Sequence, residues 1–235
     1  MDSEDPQERT EEITNIINGL ERYNPEAVGN LEDYLRHQCD NRFTDSNANR
    51  TLLKLYQLNP DRVKDEVITN ILVKALTCFP SPQFALALHL IPPHLMAANP
   101  RAELPEAVSK LRELNQQLQG AQYARFWATL DSDDLYADLT TDIDGFEDLI
   151  RVRIATLVSH AYREIELAVL EQWLGLEGPA ALKFVTDTAG WKVDEGGLVQ
   201  VPKNPENEAK KSEVREDVNV DMFSRVIRRA WEETV

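Results

Sequence analysis

Chemistry in this chain of 235 residues would have to be built from four histidines, two cysteines and a large excess of carboxylates. His37 and Cys39 stand two apart, and on a helix that spacing points them to different faces, so they cannot hold one ion together. His89, His94 and His160 occur singly, and no CxxC or HxxxH pair supplies the ligands of a zinc site. The acidic run Asp131–Asp144 is dense enough in carboxylates to be tested as a calcium loop. Setting Gly145 at the turn puts Thr140 first and Arg151 last, where carboxylates are required, so the run reads as a solvated connection. No GxxxxGK[ST], GxGxxG, GxSxG or HExxH string occurs, and the nine glycines nowhere cluster into a phosphate cradle. The residues therefore predict no catalytic group, no cofactor and no metal.

Bulk composition points the same way. The net charge of −16 repels phosphate backbones and acidic lipid surfaces, so any nucleic-acid site needs a local basic patch. With Cys39 and Cys78 as the only cysteines, a disulfide framework is not expected and a reducing compartment fits. The acidic, polar N-terminus is the reverse of a signal peptide, and no stretch approaches the roughly 18 uninterrupted apolar residues of a membrane span. A cytoplasmic setting is predicted.

The elements that would position any site are helical almost throughout. Residues 1–12 read as a flexible acidic leader. Over 13–140 the apolar positions recur at three and four residues, with Ile13, Ile16, Ile17 and Leu20 in a first stripe. Asn24 and Pro25 form an N-terminal helix signal. Ala27, Leu31, Tyr34 and Leu35 share a second stripe, Leu52, Leu53 and Tyr56 a third, and Val67, Ile68, Ile71 and Leu72 a fourth. Further helices are predicted from Gln83, through Leu104–Leu118, and around Phe126 and Trp127, with Pro- and Asn-marked turns between them. This pattern predicts an α-solenoid of paired, HEAT-like helical repeats.

Residues 141–201 change in character. A long lead-in helix starts near Phe146, and short helices follow, one ending at Gly175 and one opening at Pro179. Then Trp191–Val193, the turn Asp194-Glu-Gly-Gly and Leu198–Val201 read as a β-hairpin, the only β-structure expected. Helix, turn, helix and hairpin is the order of a winged helix, with Trp191 expected as the plug between wing and helices. Over residues 163–201 the basic residues are Arg163, Lys183 and Lys192, against seven carboxylates, and the wing tip is acidic. A groove reader would carry Arg or Lys there, so the module reads as protein-docking and not DNA-binding. A charged linker is expected over 202–219. The last helix, 220–235, places Phe223, Val226, Ile227 and Trp231 on one stripe, and a tethered amphipathic helix must bury that stripe somewhere. Those four residues are the predicted interface, either with neighbouring chains or with the chain's own body.

An α-solenoid leading into a non-basic winged helix resembles the PCI family of scaffold subunits found in the proteasome lid, the signalosome and translation initiation factor 3. Local segments narrow the resemblance to the subunit k family of initiation factor 3. They include Arg22-Tyr-Asn-Pro-Glu26, Asn30–Tyr34, Leu53–Pro60, Ile71–Thr77, Phe126–Leu130, Gly145–Asp148, Ile165–Gly175 and Gly190-Trp191. The resemblance implies a non-catalytic scaffold subunit that supports assembly on the small ribosomal subunit, with other initiation factor 3 subunits as partners, subunit l most directly. A nucleic-acid-binding winged-helix protein and a PCI subunit of the lid or signalosome are the alternative readings.

Overall fold

Apolar residues at helical spacing leave the body one way to bury them, stacked helix against helix. The computed structural model describes residues 6–96, 103–194, 196–208 and 220–232. Its body consists of α1 (Glu11–Asn18), α2 (Ala27–Asp40), α3 (Ser46–Leu58), α4 (Asp65–Leu76), α5 (Gln83–Leu90), α6 (Glu103–Gln119), α7 (Tyr123–Leu130) and α8 (Asp134–Thr141). Neighbours pack in sequence, as with α2 on α3 and α6 on α7, and also one layer on, as with α3 on α5 and α4 on α6. That double neighbourhood is how a helical solenoid stacks. The core is continuous from Ile13 to Val201 and includes Leu53, Tyr56, Ile68, Leu72 and Phe126, all sealed from solvent.

The second part runs α9 (Phe146–Ala161), β1 (Glu164–Glu166), α10 (Leu167–Leu174), α11 (Pro179–Lys183), β2 (Lys192–Val193) and β3 (Leu198–Gln200). The three strands form an antiparallel sheet ordered β1-β3-β2, with Ile165 opposite Val199 and Val193 opposite the same residue. Gly197, at φ 78°, permits the wing turn, and its N–H donates to the Asp194 carbonyl at 3.0 Å. A final helix, α12, spans Val220–Glu232. The result is the mainly helical, PCI-like architecture with a small β-hairpin.

Several expectations need correction. The leader was expected to run free to residue 12, but its described part is held from Arg9 onward. The Arg9 guanidinium donates to both oxygens of Asp45, at 2.5 Å through Nε and 2.7 Å through Nη2. Asp45 is fully buried and also caps α3, accepting the Ala48 N–H at 3.0 Å. Thr10 then caps α1, which opens at Glu11. Leu20 is 89% exposed, because α1 stops at Asn18 and a 3-10 turn rotates Leu20 off the stripe. Asn24 caps the turn ahead of α2, its Oδ1 accepting the Glu26 N–H at 3.0 Å, and the α-helix proper begins at Ala27.

The acidic run is no mere connection. Within it, α8 is capped by Asp133, buries Tyr136 and packs on α4, crossing the expected boundary at residue 140. Residues 164–166, expected at the start of a helix, form β1, so the sheet has a third strand. Only Ile165 of the three faces the core, and a three-residue alternation is too short to register as a period. Finally, Pro202–Glu208 is tied down where a linker was expected. Asn204 Nδ2 and Asn207 Nδ2 donate to the Ser159 carbonyl at 2.8 and 2.9 Å, sealing the end of α9. The expected linker over 209–219, residues 1–5 of the leader, Glu195 of the wing tip and the end of the last helix at 233–235 lie outside the described residues.

Candidate docking surfaces

The predicted interface residues sit together on α12. Val226 and Ile227 follow Phe223 by three and four residues, Trp231 follows Ile227 by four, and Phe223, Val226, Ile227 and Trp231 are 60%, 66%, 55% and 77% exposed. Arg225, Arg228 and Arg229 fall on other faces of the same helix. Four large apolar side chains on one exposed stripe are the kind of surface that marks an interaction site.

The winged helix offers a second surface, and its charge decides what it can meet. Arg163 and Lys192 line one recess beside Gln200 and Lys203, with Glu164 among them, while Lys183 is exposed on α11. Glu164, Glu166 and Asp194 are exposed on the sheet and its turn. Trp191 is buried, its backbone N–H donating to the Val185 carbonyl at 2.9 Å, and it lines a recess with Val152 and Ala155 of α9 and Phe184.

Body and wing interlock through a tryptophan that the sequence placed only in the solenoid core. Trp127, on α7, donates its Nε1 proton to the Trp173 carbonyl of α10 at 2.8 Å. The Arg151 guanidinium lies 4.9 Å from the centre of the Trp127 ring and donates to the Leu174 carbonyl at 3.1 Å. Gly175 ends α10 in the left-handed region at φ 60°, and a Cβ there would lie 2.7 Å from Trp127 Cγ. Glycine is thus required twice over, for its backbone and for the space the indole fills.

Buried titratable groups with displaced pKa values serve the fold. Lys74 is fully buried on α4, and its Nζ donates to the Gln38 carbonyl at 2.8 Å, capping the C-terminal end of α2. Burial holds its pKa below the ordinary value, and burial likewise pushes up the Cys39 thiol beside it. Tyr34, whose hydroxyl donates to Asp45 at 3.2 Å, is raised by burial first and then by the Asp45 charge. Lys74, Cys39 and Asp45 are 0%, 4% and 0% exposed, so a substrate has no route to them. At the surface, hydrogen bonds from Lys110 and Arg42 hold Asp133 and Asp144 below the usual carboxylate range.

His37 and Cys39 do diverge, the first exposed against Phe43 and the second buried. His89 and His160 are exposed at separate places. Among the described residues no group of three or more His, Cys, Asp or Glu side chains is arranged to hold a metal, and no helix is long and apolar enough to cross a membrane.

One feature was not foreseen, a groove between α4, α6 and α8 lined by carboxylates from all three. The only signal for it in the sequence is the acidic first turn of two helices, which has an ordinary explanation in the helix dipole.

Comparison with known proteins matches residues 62–213 to the model of the CSN8/PSMD8/EIF3K family. A protein of Pyricularia oryzae called eukaryotic translation initiation factor 3 subunit K is 71% identical, over 98% of this chain and 97% of its own length. Its namesakes in Neurospora crassa and Sclerotinia sclerotiorum are 70% and 53% identical, over 100% and 96% of both chains respectively. With a helical stack joined to a small wing already evident, these similarities show that the chain belongs to the CSN8/PSMD8/EIF3K family, in its eukaryotic translation initiation factor 3 subunit K branch.

Proposed function

We propose that this chain is a non-catalytic scaffold subunit of eukaryotic translation initiation factor 3, working in the cytoplasm to support assembly of the initiation complex on the small ribosomal subunit. It does so through protein–protein contacts, with other subunits of the factor as partners and subunit l the most direct. The observation that carries this reading is the exposed stripe of α12. Fully burying one such side chain is worth about 1.5–3 kcal/mol, so covering four that are 55–77% exposed makes roughly 4–8 kcal/mol available before ordering costs. Charge supports the same reading. At −16 overall the surface opposes phosphate binding, and the wing recess, with Arg163, Lys192 and Lys203 beside Glu164, offers few cations for a nucleic-acid backbone, which disfavours the nucleic-acid alternative.

The test is truncation after Glu208, which removes α12 and keeps the Asn204–Asn207 clamp. The truncated chain should retain its helical circular dichroism and cooperative unfolding, and should lose most of its co-purification with the other subunits. Replacing Phe223 and Trp231 together by alanine in the full chain should give the same loss. A truncated chain that aggregates or unfolds would place α12 in the protein's own core, and full incorporation without the stripe would refute the interface.

A further inference from the structure

The groove between α4, α6 and α8 has a volume of about 300 Å³, room for one or two inserted side chains. Its floor is apolar, formed by Ala107 of α6 with the half-buried Leu135 and Leu139 of α8. Its rims are acidic on every side: Asp65 and Glu66 from α4, Glu103 and Glu106 from α6, Asp138 and Asp142 from α8. No described Lys or Arg contributes to the lining. Among the described residues none of the six carboxylates enters an ion pair, and the hydrogen bond that Asp142 accepts from Asn70 at 3.1 Å leaves its charge in place. All six carboxylates are exposed, and the Lys110 ammonium that Glu106 attracts is itself paired with Asp133.

An apolar trough between two acidic banks selects its occupant by charge and by shape. We propose that it is a docking site for a basic amphipathic helix of a partner protein, one whose apolar side chains enter the trough while Lys or Arg on either flank meet the rims. RNA is refused by the sign of the rims and by the apolar floor. A second copy of this chain would offer α12, but Arg225, Arg228 and Arg229 there are balanced by Asp221, Glu232 and Glu233, and the copy brings −16 overall. The site is distinct from α12, so the chain would hold a neighbour at two places. This inference rests on the scaffold reading, yet it can fail alone.

The first measurement is fluorescence anisotropy of the full-length chain against a labelled helical peptide of leucine and lysine, and against its glutamate-for-lysine twin. The lysine peptide should bind and the glutamate twin should not. Glu106→Lys with Asp138→Lys should weaken binding about tenfold or more. Glu164→Lys with Glu166→Lys, an equal change of net charge on the wing, should leave it within about twofold. Equal losses in the two variants would mean that only net charge is read, and that outcome, or no binding, overturns the proposal. In the assembled complex, a photo-crosslinking residue at Thr69, which lines the groove, should join to a Lys- or Arg-flanked apolar helix of another subunit. Crosslinks to RNA, to a second copy, to an acidic segment or to nothing would refute the groove. Continued co-purification of that chain would leave the scaffold reading standing.

Discussion

Replacing Arg9 by methionine would keep most of the side chain's length while removing its charge and its donors. Arg9 is 5% exposed and its partner Asp45 is not exposed at all, so neither can fall back on water. Without the guanidinium, the Asp45 carboxylate keeps the Ala48 N–H at 3.0 Å and the Tyr34 hydroxyl at 3.2 Å, and loses the two shortest bonds it had. Stranding one partner of a buried ion pair costs about 3–5 kcal/mol. Against a typical total of roughly 5–15 kcal/mol for a domain, that is a large share, and it corresponds to a fall in Tm on the order of 10 °C. Urea unfolding followed by circular dichroism measures it, with the midpoint falling and the slope unchanged. Asp45→Asn supplies the control, since asparagine can still cap α3 while carrying no charge. The double variant should recover part of the loss, because neither charge is then left alone, giving a coupling of at least about 1 kcal/mol. A loss below about 1 kcal/mol for Arg9→Met, or strict additivity in the double variant, would refute the idea that this pair pins the N-terminal segment.

Other outcomes follow from the same physics. Gly175→Ala should destabilise the chain by about 2–5 kcal/mol, combining a left-handed alanine with the clash against Trp127, and a change under about 1 kcal/mol in urea would show that the indole gives way. For Lys74, burial lowers the pKa from its ordinary 10.5, so the unfolded chain binds more protons just below that value and stability from this site rises with pH across that window. The stability difference between the natural chain and Lys74→Met should therefore move in favour of the natural chain as the pH rises towards 10.5, and a flat difference would contradict a pKa lowered by burial.

What could be read in advance was whatever repeats at helical spacing. The stripes through Leu31, Leu53, Ile68 and Leu111 are long enough that period alone identifies them, and each of those residues is buried. Gly175 and Pro179 punctuate α10 and α11 where local backbone chemistry demands. The misses share a cause of a different kind. β1 exists only because β3 arrives from more than thirty residues away to pair with it, and the Arg9 side chain is held by an aspartate beyond two helices. α8 was obscured because its carboxylates look like a loop until Tyr136 finds the core. The groove is harder still, since its six acids come from three helices and become one surface only through packing. The α12 stripe, by contrast, was visible as a stripe, while what covers it belongs to another level of organisation.

The Trp127 junction settles how the wing is carried. Its indole N–H, the stacked Arg151 and the close fit at Gly175 tie α10 to α7 by a hydrogen bond, a cation and a contact with no slack. A wing mounted in this way is preorganised: a neighbour that grips wing and helices together loses little to freezing their relative tilt, since folding has already fixed it. Loosening that mount would then appear first as faster dissociation from the assembly, before any loss of the wing's own fold.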